Sequence, residues 1–491
     1  MNAIQSNTLL QSHTDNTAHS DLPGSVFPVT HQFLSSATSQ SRSKDPPVLN
    51  SLFKIGDRRD AIGCRVWQLL AIVLLLNASH FCLADEGLQP PQLAAAETTV
   101  RLPGPITDAV VGGGGRYLIF QFASLQQLAI FDVNQAKVLR YQPLPSNDVA
   151  LAAGQSHLYI GLRPEKLIQR WNIASGELEV STAAPVGGIG ALAMGAQSDS
   201  PLFLLSSRDA KRSWLIDTRT MRSNPFSWRG WSGGAWGPVW VNVSFDGSTA
   251  AACGGGWAGI DVLAIGTKQV TTTASGSYTR GETLVAGNGG LMFPDQGPIL
   301  RRDLASEVDT IEGRPFPALD RTWSVALGKT GGQAELTVFA NADPKRLVTL
   351  RDLPELNQGA TLPNHKRIFL IPAAEVLVTV GPGSDHLILR RFDMAKALAD
   401  EGIDFLFVTS APVQITSRGK TWRYPVVVRS RQGGVKMTLQ SAPDSMKIDA
   451  QGEIRWRVPR NAVSGQEVPV IVEISDQSGQ VIFHTFRIFI Q

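Results

Sequence analysis

From about residue 100 to 400 the chain repeats one pattern of apolar and polar positions. A Gly-rich turn leads into an apolar strand, a polar turn, a second strand ending in Asp or Asn, and then a third strand. Aligned on that acidic or amide residue, the anchors are Asp132, Asn172, Asp217, Asp261, Asp303, Asp352 and Asp393, spaced by 40, 45, 44, 42, 49 and 41 residues. A period of about 40–45 residues with several short strands per unit predicts a β-propeller, one four-stranded blade per repeat and seven blades in all. The anchor's short side chain suits a turn, where it can accept hydrogen bonds from backbone N–H groups, so the seven residues are expected to be structural rather than catalytic.

Local chemistry agrees with this reading. Phe245-Asp246-Gly247-Ser248 is predicted as a hairpin turn, because Asp-Gly favours the positive φ such turns need. Ala250-Ala251-Ala252-Cys253 after it is small and apolar, as a crowded inner strand requires. Asn134 to Lys137 and Ala174 to Glu177 are turns following an anchor. With Ser244-Phe245-Asp246-Gly247-Ser248-Thr249-Ala250 as its best stretch, the region of about 100–400 resembles bacterial WD-repeat-like and YVTN-like propellers. The resemblance implies a fold; it carries no reaction with it.

Residues 403–491 follow a different rule, period-two alternation. Strands are predicted at Tyr424 to Val428, Val435 to Leu439, Glu453 to Trp456, Pro469 to Ser475 and Val481 to Ile490, with a hairpin turn at Asp476-Gln477-Ser478-Gly479. This spacing predicts an immunoglobulin-like sandwich. Residues 442–456, with Gly419 to Tyr424 and Ile474 to Gly479, resemble the putative-Ig (cadherin-like) domains of bacterial surface proteins. Gly402 to Ser410 resembles the linker of secreted proteins that pair a propeller with such a domain. The cadherin resemblance implies calcium, but calcium takes about six to eight oxygens, usually from clustered carboxylates. Asp444, Asp449 and Asp476 stand one per turn, so no cofactor and no metal is expected.

The N-terminal part sets the compartment. Residues 1–57 are largely polar and aperiodic and are predicted to be a disordered extension. Residues 58–84 carry Arg58, Arg59 and Arg65, an apolar run from Val66 to Leu76, and a small-x-small exit at Cys82-Leu83-Ala84. That is the layout of a secretory signal peptide, with cleavage between Ala84 and Asp85. The alternative is a signal anchor retained in an inner membrane through residues 66–84. The run is shorter than the roughly 20 residues of a spanning helix. No lipobox precedes Cys82, Asp57 and Asp60 spoil a twin-arginine match, and the long n-region suggests a start codon downstream of Met1. Residues 85–99 are read as linker, 100–402 as propeller and 403–491 as sandwich. Cys64 and Cys82 fall in the leader, leaving Cys253, which is expected to be a small buried strand residue.

Composition and charge then narrow the chemistry. The chain has 491 residues and a formal net charge of +3, with 45 Lys and Arg against 42 Asp and Glu. That balance argues against nucleic-acid binding. His157, His365, His386 and His484 follow the leader, none at metal-ligand spacing with another ligand. Gly112 to Gly115 and Gly254 to Gly256 are read as turns, since neither continues as a phosphate loop does. No Gly-x-Ser-x-Gly elbow is present. Trp228, Trp231, Trp236, Trp240 and Trp257 cluster in one Gly-rich stretch. Trp240 and Trp257 are expected to plug gaps between blades, whereas Trp228, Trp231 and Trp236 are the candidate binding residues, suited to a sugar or a protein hot spot.

The sequence thus predicts an exported, all-β, non-enzymatic binding or scaffold protein of the periplasm or cell surface. Its partner is a protein or glycan, with no nucleic acid and membrane contact only through a retained leader. Two alternatives stand beside this: a propeller hydrolase, lyase or oxidoreductase with a central-channel site, and a carbohydrate-binding protein acting through the Trp-rich loop.

Overall fold

In the computed structural model the described residues are 87–491, apart from 186, 207–212, 227–239, 254–258, 267–268, 277–279 and 309–310. The apolar runs of the repeats become strands buried on both faces; Tyr117–Phe122, for example, is buried throughout. Among the described residues they form six four-stranded antiparallel sheets and one three-stranded sheet. Sheets one to six span 108–143, 149–183, 191–226, 240–276, 280–301 and 314–350, and sheet seven combines 368–391 with Glu97–Arg101.

Alternation sends each strand's side chains into two different cores. Leu118, Phe120 and Phe122 pack against Phe369, Ile371 and Val376 of sheet seven. Tyr117 and Ile119 pack against Leu151 and Ile160 of sheet two. The same arrangement recurs at every junction around to sheets six and seven, where Val325 and Val338 meet Ile368 and Leu377. First strands of neighbouring sheets lie side by side from sheet one to sheet six, and the turn Asn364–Lys366 touches the first strands of sheets six and one. The sheets therefore close into a ring with the first strands innermost, which is a β-propeller.

Closure uses a strand from the start of the described chain. Glu97–Arg101 pairs antiparallel with His386–Arg391 as the fourth strand of sheet seven. Leu93 joins the core between sheets seven and one. The stretch read as linker up to residue 99 is thus partly blade: its partner lies far away in sequence, so no hairpin signal marks it. Cys253 and Trp240 are buried between sheets four and five, and the cysteine forms no disulfide.

Glycines hold the ring tight. At the ends of first strands, Gly154 approaches the Ser198 carbonyl, Gly195 approaches that of Ser244, and Gly287 approaches that of Asp320, each nearer than a Cβ would allow. The run Gly113–Gly115 goes further. Gly113 N–H donates to the Gly154 carbonyl and Gly114 N–H to the Ala196 carbonyl, in sheets two and three. A Cβ on Gly115 would meet Leu319 and Ile371, at sheets six and seven. One loop thus reaches four other blades across the ring, and two of its N–H groups serve neighbouring carbonyls.

Beyond sheet seven, helix α1 (Met394–Asp400) begins at Asp393, whose carboxylate accepts from Lys396 N–H at 3.1 Å. Met394 and Leu398 pack on the core of sheets six and seven. The C-terminal strands lie close to where alternation placed them. Thr421–Pro425, Met446–Ile448 and Glu453–Arg457 form one sheet, and Ile415–Thr416, Lys436–Ser441, Glu467–Ser475 and Val481–Ile490 form a second. Leu406–Val408 pairs with Val428–Ser430 apart from both, so the strand predicted at Tyr424 to Val428 is split in two. Trp422, Tyr424 and Trp456 of the first face Val470, Val472 and Phe486 of the second in a single core, a β-sandwich.

The sandwich meets the propeller at the loops between first and second strands. Arg321 donates to the Thr485 carbonyl at 2.8 Å and pairs with Asp246 at 3.3 Å. Arg429 pairs with Glu375 at 2.8 Å, and Trp323 stands edge-on to Phe407.

Candidate functional site

The opposite propeller face, where first strands begin, carries a cavity of about 770 Å³. It is built where sheets five and six approach the turn that enters sheet seven. Pro363, fixed at φ −64°, opens the Asn364–Lys366 turn, which closes through Lys366 N–H to the Pro363 carbonyl at 2.9 Å. The next three side chains diverge. His365 lines the cavity, Lys366 reaches Asp108 of sheet one at 2.5 Å, and Arg367 returns to the cavity wall. Leu284, Phe293, Phe316 and Leu362 supply apolar walls.

The charges in this cavity are unequally satisfied. Asp295 pairs with Arg314 at 2.8 Å, and Glu282 accepts from Asn242 Nδ2 at 2.8 Å. Arg367 is buried, yet its guanidinium makes only a long Nε bond to Asn364 Oδ1, 3.4 Å, among the described residues. Burial lowers its pKa and nearby Glu355 opposes the shift. Both oxygens of Glu355 are already taken, by Arg390 at 2.6 and 3.0 Å and by Thr379 Oγ1 at 2.6 Å. Burial pushes Glu355 up, but these hydrogen bonds outweigh it and hold the carboxyl below its usual range. His365 is held at about 4, first by burial and then by Lys366, with Asp108 opposing, so the imidazole is neutral at neutral pH. The cavity thus combines a neutral imidazole, a buried cation short of partners and apolar walls.

A second cavity, about 810 Å³, lies at the seam of sheets six and seven, lined by Glu97, Glu335, Arg351, Asp352, Glu355 and Arg390 among others. Its cations are paired, Arg351 with Glu335 at 3.2 Å and Arg390 with Glu97 and Glu355. A third polar cluster joins sheets two and three. His157 and Arg170 both contact Glu179, at 3.1 and 2.9 Å. Asp199 is pushed up to about 6 by burial against Ser156 hydrogen bonds that oppose it. None of the three has a spacing to read: the two cavities draw on different repeats, and the third cluster sets His157, Arg170 and Glu179 of sheet two near Asp199 of sheet three.

The predicted anchors fall one per sheet but not in one role. Asp132 Oδ1 accepts from Asn134 N–H at 2.8 Å, Asn172 Oδ1 from Ser175 N–H at 2.9 Å and Asp217 Oδ1 from Arg219 N–H at 2.9 Å. Asp303 Oδ1 likewise accepts from Ala305 and Ser306 N–H, at 3.0 and 2.9 Å. All four follow or end the third strand of their sheet. Asp261 instead lies near the start of its third strand, bonded to Ser275 Oγ at 2.5 Å. Asp352 follows the fourth strand of sheet six, and Asp393 caps α1. In sheet six the end of the third strand is held by Asn341, which accepts from Ser324 Oγ at 2.6 Å. Trp228, Trp231, Trp236, Trp257, Ala84 and Asp85 lie outside the described residues. Among the described residues, no group of three or more His, Cys, Asp or Glu is placed to hold a metal ion, and no helix is long and apolar enough to cross a membrane.

No family model matches the chain, and no curated protein matches it. Solved structures similar to it include U3-55K, at 12% identity and TM-score 0.43, covering 62% of this chain and 100% of that one. The β-propeller domain of Myceliophteria thermophila Cps50 (Swd1) matches at 13% identity and TM-score 0.40, covering 60% and 99%. Kuenenia stuttgartiensis hydrazine synthase matches at 12% identity and TM-score 0.38, covering 61% and 99%. The β-propeller is established by the sheet topology of the chain itself.

Proposed function

We propose that this chain is an exported, non-enzymatic binding protein in which a seven-bladed propeller and an immunoglobulin-like, cadherin-like sandwich form one scaffold for a protein partner. The observation that supports it is the pocket on the face away from the sandwich, with Arg367 buried there and short of partners. Export to the periplasm or cell surface rests on the leader pattern of residues 58–84. The glycan alternative rests on Trp228, Trp231 and Trp236 in sequence.

The test places a photo-crosslinking residue at Lys329, exposed on the pocket rim, and in a control at Val463, exposed on the sandwich, in the native host. A discrete protein adduct at 329 that is absent at 463, found in the exported fraction, is expected. Adducts to neither position, with the purified chain retained on a glycan array, would overturn the reading in favour of carbohydrate recognition.

A further inference from the structure

Arg367 is more than nine-tenths buried, and a buried guanidinium is normally tied to a carboxylate or several carbonyls. Here the nearby carboxylate, Glu355, is committed elsewhere, and the two acids lining the pocket are engaged by Arg314 and Asn242. Lys329 adds a second cation at the rim, held among the described residues only by a 3.4 Å contact to the Asn357 carbonyl. The seam cavity offers no such group, because Arg351 and Arg390 are paired. We propose that the sheet five–six–seven pocket takes the terminal carboxylate of a peptide that ends in apolar residues, with Arg367 as its anchor.

The chemistry selects this class. A guanidinium fork matches a carboxylate in bidentate geometry, and low dielectric strengthens that bond. Leu284, Leu327 and Pro315, half-buried, and the exposed Pro363 offer apolar surface in the same cavity, over the buried Phe293 and Phe316. Asn364 and the neutral imidazole of His365 line the same cavity and offer donors and acceptors that suit peptide amides better than a bare alkyl chain. A volume of about 770 Å³ lies within the usual range of ligand pockets, about 300–1,000 Å³. The inference rests on the binding function proposed above and names the ligand of that same pocket.

The test titrates the full chain with acetyl-Gly-Leu-Phe bearing a free carboxylate, with the same peptide as its C-terminal amide, and with octanoate. The acid is expected to bind at least tenfold more tightly than the amide. Arg367→Gln should remove that preference. Lys329→Gln, at an exposed position that leaves folding intact, should weaken the acid severalfold and the amide hardly at all. Equal binding of acid and amide, or no binding of either at millimolar concentration, overturns the proposal. Octanoate binding without peptide binding overturns the peptide and leaves a small-acid site. Should Arg367→Gln fail to fold, the acid–amide comparison and Lys329→Gln still decide. If the Lys329 crosslink persists unchanged in Arg367→Gln, the binding function stands and the carboxylate anchor falls.

Discussion

Gly287 shows what single positions must satisfy in this ring. A Cβ there would lie 1.7 Å from the Asp320 carbonyl oxygen, so Gly287→Ala must push two sheets apart. We expect a loss of about 2–3 kcal/mol, read from denaturant melts, of the size overpacking typically costs. The recurrence of glycine was visible in the sequence, but its reason was not, because the atom it avoids belongs to another repeat. His484 illustrates a second residue-scale effect. Burial first, and Arg321 second, hold its imidazole at about 3, with Tyr424 Oη 2.9 Å from Nε2. The unfolded chain protonates this group near the ordinary 6.5, so between the two values it binds the extra proton. Stability is therefore complete above about 6.5 and falls as the pH drops toward 3, by about 1.4 kcal/mol per unit for this one group. His365 acts in the same direction. His484→Gln should flatten the acid limb of a stability–pH curve by about one proton; an unchanged slope would show that His484 is not the titrating group.

At the scale of elements, the strand Glu97–Arg101 depends on a chain of charges. Arg390 joins Glu97, which is exposed, to Glu355, which is buried. The two ends should respond differently. Arg390→Ala strands a buried carboxylate and is expected to cost about 3–5 kcal/mol. Glu97→Gln breaks an exposed pair and should cost under about 1 kcal/mol. Equal losses in chemical melts would mean that Glu355 finds another partner. Elements with a local signal were legible: the hairpin at Asp476–Gly479, with Ser478 N–H on Asp476 Oδ1 at 2.9 Å, and the alternating strands around it. Asp352 and Asp261 keep the repeat spacing but stand elsewhere in their sheets, after the fourth strand and near the start of the third, because spacing alone does not say which end of a strand an acid occupies. Asn341 fills the position in sheet six.

At the scale of the whole molecule, Arg321 ties three parts together: the Asp246 turn of sheet four, its own loop before sheet six's second strand, and the sandwich carbonyl of Thr485. Arg321→Met keeps much of the stem's packing and removes these bonds. We expect calorimetry to show the sandwich and propeller melting as two separated transitions, where the unaltered chain gives one. A single transition at an unchanged temperature would show that Trp323 and Phe407 suffice to couple them. The two modules were legible from the change of period near residue 403, whereas the joint between them was not. A salt bridge spanning distant loops leaves no spacing to read, and the same holds for the pocket around Arg367.

Ring closure also fixes an order of events in time. Glu97–Arg101 leaves the ribosome long before its partner His386–Arg391 exists. Until that partner arrives, the early strand has no sheet to join, and both mating edges stay unpaired, open to other chains. The entropy of joining such distant segments is met only once nearly all the blades between them have formed. A chain shortened within sheet seven would lack the strand that Glu97–Arg101 needs. Its aggregation, rather than its loss of any single contact, is what a truncation series should record first.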